Sequence, residues 1–235
     1  MLIFKPTTKY SRAMAEEKTS MQYRGRKTRR ADGHARRQAI LEAALRIIVR
    51  DGIRAVRHRA VAQEAQVPLA ATTYYFRDLG ELISDSFTLY AERALEAAKS
   101  LEKDTVAALN EHRPQMNTPQ GREQLARMLT EFVMHFMRSQ TEDRDDRQIE
   151  QAFRQEALRN EKLANDVQVP YRANLGILER FFQGLGSADP VADAHAVFGA
   201  IKHWEFQLLV NTPTDEDWAT AERSLRRLVM GLFKL

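Results

Sequence analysis

From residue 35 onward the chain repeats one pattern: apolar residues three and four apart, separated by charged and polar ones, which is the period of an amphipathic helix. The first such segment runs from Ala35 to Asp51, with Ile40, Leu41, Ala44, Leu45, Ile47 and Ile48 on one face. Gly52 stands just past it, where a helix commonly stops in a left-handed residue. A short segment from Arg59 to Ala65 follows, with Val61, Ala62 and Ala65 inward. Val67-Pro68 breaks it, because proline drives the residue before it out of the helical region. Pro68 then opens a third short helix running to about Tyr75. Asp78 with Glu81 three residues on has the spacing of a capping box, and the helix it starts extends from Leu79 towards Glu111.

The remainder reads the same way. Thr118-Pro119 opens a helix with Leu125, Met128, Leu129, Phe132, Val133 and Phe136 on one face, and a polar stretch from Thr141 to Arg147 interrupts it. Helical segments follow from about Gln148 to Asn160 and from about Glu161 to Gln183. Pro170 is expected to kink or break the second. Gly184, Gly186 and Pro190 mark a loop before two amphipathic segments, Val191–Val210 and Asp215–Phe233. Thr214 with acidic residues behind it is an N-cap for the last. No alternating strand pattern of useful length and no internal repeat is found. The expected fold is all-α.

Composition narrows the classes. The chain has 235 residues, 43% hydrophobic and 29% charged, with no cysteine. Disulfides, thiolate zinc sites and cysteine nucleophiles are therefore excluded, and a cytoplasmic location is expected. No apolar run approaches the roughly 20 residues of a membrane span, and the apolar start Met1–Phe4 is shorter than the core of an export signal, about 7–15 residues. Charge changes the picture more. Residues 1–85 hold 17 Lys and Arg against 9 Asp and Glu, a net of +8, while the rest carries −4. A basic first third on a mildly acidic body suits a partner made of polyphosphate. Within it, residues 1–34 read as a basic arm. Arg26, Lys27, Arg29 and Arg30 either track a DNA backbone or belong to a solvated tail.

A short helix, a turn of a few residues and a second short helix form a helix-turn-helix, whose second helix enters the major groove. Here that helix is Pro68–Phe76, small at its start and hydroxyl-bearing towards its end, chemistry suited to base edges and phosphates. The segments Arg37–Leu45, Asp51-Gly52, Val61–Ala65, Val67–Phe76 and Glu81-Leu82 together resemble the tetracycline-repressor (TetR) family of bacterial regulators. The resemblance implies an N-terminal three-helix DNA-binding domain at 35–82 and a larger helical ligand-binding and dimerisation domain at 83–235.

It also implies roles. Arg59, beside Arg57, reaches a base edge; His58 packs inward or meets phosphate. Leu69, Ala70, Ala71 and Thr73 face bases, Tyr74 and Tyr75 press on the backbone, and Thr72 and Phe76 look inward. Three positions depart from the family pattern. Gln66 replaces the usual turn glycine: either it takes a positive φ, at a cost of about 1–2 kcal/mol, or the turn differs. Thr73 replaces a common tyrosine, and Leu79 a phosphate-contacting lysine.

The resemblance further implies a homodimer through the two C-terminal helices, a palindromic double-stranded DNA operator and a small-molecule effector that releases it. Phe87, Phe132, Phe136, Met137, Phe153, Phe181 and Trp204 are candidate effector contacts, though the same residues at helical spacing also make plain core. Their character favours a hydrophobic or amphipathic effector. No hydrolase elbow, phosphate-cradling glycine loop or zinc helix is present, so no enzyme, cofactor or metal is expected. Glu131 with His135, and His203 with Glu205, are read as ion pairs or core histidines. The rival reading is a helical protein–protein adaptor that does not bind specific DNA.

Overall fold

The structure is a computed structural model, and it describes residues 22–26, 31–112 and 118–233. Among them there are nine α-helices and no strand: α1 (Ala31–Asp51), α2 (His58–Glu64), α3 (Leu69–Tyr75), α4 (Leu79–His112), α5 (Pro119–Glu142), α6 (Arg144–Ala157), α7 (Glu161–Gly184), α8 (Pro190–Val210) and α9 (Asp215–Leu232). A 3-10 turn at Ile53–Ala55 links α1 to α2.

The helix ends follow the punctuation of the sequence. Gly52 takes φ 82° and donates its N–H to the Ile48 carbonyl at 3.0 Å, closing α1. Thr118 accepts from the Gly121 N–H at 3.0 Å to start α5. Thr214 and Asp217 form a complete capping box at α9, and the hydrogen bonds from Thr214 hold the Asp217 carboxyl below the usual aspartate range.

Two expectations are corrected. α1 begins at Ala31, inside the stretch assigned to the arm. Its first turns are mostly exposed, so no apolar period marks them. Of the kink or break expected at Pro170, the break does not occur: α7 continues through it. Proline removes one ladder hydrogen bond, but Leu163 and Val169 before it and Ala173, Leu175 and Ile177 after it are all buried.

The chain divides into two compact units. The first comprises residues 1–95 with 148–171, the second residues 96–147 with 172–235. In the first unit, Ile40, Leu41, Ala44, Ile47, Val61, Phe76, Leu82 and Phe87 share one core with Ile149, Phe153 and Leu163, which come from far along the chain. In the second unit α5, α8 and α9 pack on one another in pairs. No helix among the described residues is long and apolar enough to cross a membrane.

Candidate nucleic-acid interface

The geometry of α2 and α3 is fixed by the turn between them. Gln66 adopts φ 54°, so the left-handed turn residue is retained despite having a side chain. Two backbone bonds lock it: the Val67 N–H donates to the Ala62 carbonyl at 2.9 Å and the Gln66 N–H to the Gln63 carbonyl at 3.2 Å, the pairing that commonly ends a helix in a left-handed residue. Pro68 follows in an extended conformation as the N-cap of α3.

Helical period then sorts the side chains of α3. Thr72 is buried and its hydroxyl donates to the Leu69 carbonyl at 2.8 Å; Phe76 is buried in the core. Leu69 (49% exposed), Ala70, Thr73 and Tyr74 (53% exposed) point outward, and Ala71 is half-buried. One expectation fails here. Tyr75, paired with Tyr74 as a backbone-pressing aromatic, is 6% exposed and sits in the core, its ring edge-on to Tyr74. Adjacent helix positions lie about 100° apart, so both cannot face one way.

At the start of α2, Arg57 and Arg59 are exposed. His58 is half-buried, and its Nδ1 is buried without a hydrogen-bond partner among the described residues. At the start of α4, Asp78 accepts from the Glu81 N–H at 2.8 Å, as its spacing requires. The Glu81 carboxylate does not return to Asp78 but accepts from the Arg77 N–H at 2.9 Å and from the Arg77 guanidinium. Those bonds hold the Glu81 carboxyl below the usual glutamate range.

Sequence reasoning missed a buried acid. Asp85 on α4 is fully buried and accepts three donors: the Arg24 N–H at 2.7 Å, the Gly25 N–H at 2.8 Å and the Arg37 guanidinium. An aspartate set among Leu82, Ile83 and Phe87 in a helical segment was the available signal. Next to it, the Arg26 N–H donates to the Tyr75 carbonyl at 2.8 Å, and the Arg26 guanidinium lies 4.1 Å over the Tyr74 ring. Lys27, Arg29 and Arg30 lie outside the described residues.

The aromatic candidates are divided between the two units. Phe87 and Phe153 lie in the first unit, edge to face at 5.0 Å and buried in its core. Phe132, Phe136 and Trp204 are half-buried in the second unit, and Met137 and Phe181 are buried there. Glu131, His135 and His203 are exposed, while Glu205 is buried and pairs with Lys202 at 2.8 Å. Among the described residues no group of three or more His, Cys, Asp or Glu is placed to hold a metal.

Residues 120–233 match the tetracyclin repressor-like C-terminal domain family. Among solved structures, the chain is similar to a TetR-family member from Streptomyces coelicolor A3, at 29% identity over 82% of this chain and 97% of that one, with a TM-score of 0.50. The multidrug binding protein EbrR, solved with imidazole, is 28% identical over 83% of this chain and 89% of that one, TM-score 0.50. A transcriptional regulator from Aquifex aeolicus VF5 shares the fold at 15% identity, over 82% of this chain and 96% of that one, TM-score 0.52. No curated protein matches the chain.

Proposed function

We propose that the chain is a TetR-family transcriptional regulator that binds specific DNA, a repressor released from a palindromic operator by a small hydrophobic or amphipathic effector. The observation that carries the DNA reading is the sorting of α3. A seven-residue helix keeps Thr72 and Tyr75 in the core while presenting Leu69, Ala70, Thr73 and Tyr74 to solvent. In this reading Ala70 and Thr73 meet base edges, Tyr74 meets the backbone, and Arg59 reads guanine from the start of α2.

A homodimer is supported by α8. Ala192, Ala196, Gly199, His203, Phe206 and Val210 are exposed at spacings of three and four, a stripe of small and apolar residues broken by one histidine on one helix face. The exposed positions of α9 are instead charged, among them Glu222, Arg223, Arg226 and Arg227, so α8 is the main dimer helix. The effector reading draws support from Phe132, Phe136, Met137, Phe181 and Trp204 in the second unit, and from EbrR, a multidrug binding protein also solved with ethidium. Ethidium is planar, aromatic and cationic, and is a suitable first probe.

The test is fluorescence anisotropy against the intergenic DNA beside the chain's own gene, with an unrelated duplex as competitor. Tight, competitor-resistant binding that weakens steeply with salt is expected. Arg59→Ala and Thr73→Ala are each expected to cost about 1–3 kcal/mol and relax base preference. Binding no better than to the unrelated duplex, unchanged by either variant, would favour the adaptor.

A further inference from the structure

The segment Tyr23–Arg26 lies ahead of the first helix and is tied down by polar contacts. Its four residues make polar contacts in four directions. The Tyr23 hydroxyl donates to Glu92 at 2.6 Å, and burial together with that bond pushes its pKa up. The Arg24 guanidinium pairs with Asp166 on α7 at 2.9 Å. Two successive N–H groups, from Arg24 and Gly25, converge on Asp85. The Arg26 N–H closes on the last carbonyl of α3. Arg37 locks the arrangement from α1: its guanidinium binds Asp85 while lying 4.3 Å over the Tyr23 ring and 5.5 Å over Phe76.

Gly25 shows how close the fit is. A Cβ there would stand 2.8 Å from two Phe76 ring carbons and from the Tyr75 carbonyl oxygen. Real Cβ atoms do not approach backbone oxygen that closely, so any side chain lifts the segment away from α3.

We propose that Tyr23–Arg26 is a strap clamped by the buried Asp85, and that its task is to hold Arg26 on the exposed face of Tyr74 as a ready-made phosphate contact at the end of α3. Asp85 is then a positioning residue for DNA binding, acting through the strap. This rests on the DNA-reading function proposed above. The chemistry is consistent along its length. A guanidinium stacked on an exposed ring keeps its outward N–H groups available for phosphate oxygens, and its fixed position lowers the ordering cost of the contact.

The strap is tested with a random-sequence duplex, because a phosphate contact is independent of sequence. Affinity is measured over a salt series for the wild type, Arg26→Ala, Gly25→Ala, Asp85→Asn and the Gly25→Ala/Arg26→Ala double variant, each well below its melting temperature. Removing one phosphate contact is expected to lower the slope of log K against log salt by about 0.9 and to weaken binding at low salt by about tenfold. The same loss is expected for Arg26→Ala, Gly25→Ala and Asp85→Asn, with no further loss in the double variant.

Lower melting temperatures with the wild-type slope in Gly25→Ala would show the strap to be structural only, and overturn the proposal. So would a wild-type slope in Arg26→Ala, or additive losses in the double variant. Gly25→Ala carries the test alone if Asp85→Asn does not fold. Failure of the DNA reading itself has a different signature: the wild type, too, shows no salt-dependent binding.

Discussion

Gln66 holds a backbone conformation that its side chain disfavours, and relieving it should stabilise the chain by a calculable amount. At φ 54° an L-residue sets its Cβ against the following carbonyl oxygen, at about 1–2 kcal/mol. Gln66→Gly removes that cost. Glycine's greater freedom in the unfolded chain returns about 0.5–1 kcal/mol of it. The expected net gain is therefore about 0.5–1 kcal/mol, a rise in melting temperature of about 2–4 °C per kcal/mol for a chain of this size that unfolds cooperatively. The hydrogen bonds that define the turn are made by backbone groups at Gln66 and Val67, so the substitution leaves them intact. Urea unfolding of Gln66→Gly, Gln66→Asn and Gln66→Ala reads the ranking directly. Glycine should be most stable, asparagine intermediate, and alanine close to glutamine, because alanine keeps the Cβ. Equal stability for glycine and alanine would refute the strain argument.

Two further outcomes follow from buried and paired groups. The Glu81 carboxyl is held below its ordinary value by Arg77, so its contribution to stability is complete above the unfolded pKa of about 4.3 and is lost as pH falls through the lower folded value. Glu81→Gln should therefore flatten the loss of stability below about pH 4.3, measured by denaturant unfolding across an acid series; an unchanged acid limb would show the pair to be inert. Phe153 fills the first-unit core against Phe87, so Phe153→Ala is expected to cost about 3–5 kcal/mol of stability, and Phe153→Leu less, while Phe153→Leu leaves ethidium affinity unchanged. Lost dye binding in a stable Phe153→Leu variant would make Phe153 an effector contact as well as a core residue.

What could be read in advance was local. Gly52, Thr118, Pro68 and Thr214 mark helix ends because capping chemistry acts over three or four residues, and the structure keeps each of them. The outward face of α3 was legible as a set, but assigning Tyr75 to the outside followed the family's paired aromatics rather than the helical period. The start of α1 was hidden because Asp32, His34, Ala35 and Arg36 all face solvent and carry no apolar rhythm. The core role of Phe87 and Phe153 was hidden by distance along the chain: residues 148–171 join a unit otherwise built from the first 95 residues. The strap was invisible for the same reason. Its bonds to Asp85 come from backbone N–H groups some 60 residues away, which leave no trace in residue type except a glycine.

The clamp on Gly25 also bears on how such a sequence can change over time. Gly25 is pressed against the end of α3 with its N–H on Asp85, so a side chain at that position cannot be accepted without loosening the clamp. Relatives that keep the buried aspartate at the position of Asp85 are therefore expected to keep glycine at the position of Gly25, and relatives with a larger residue there to have lost the acid, so that the two positions vary together in an alignment.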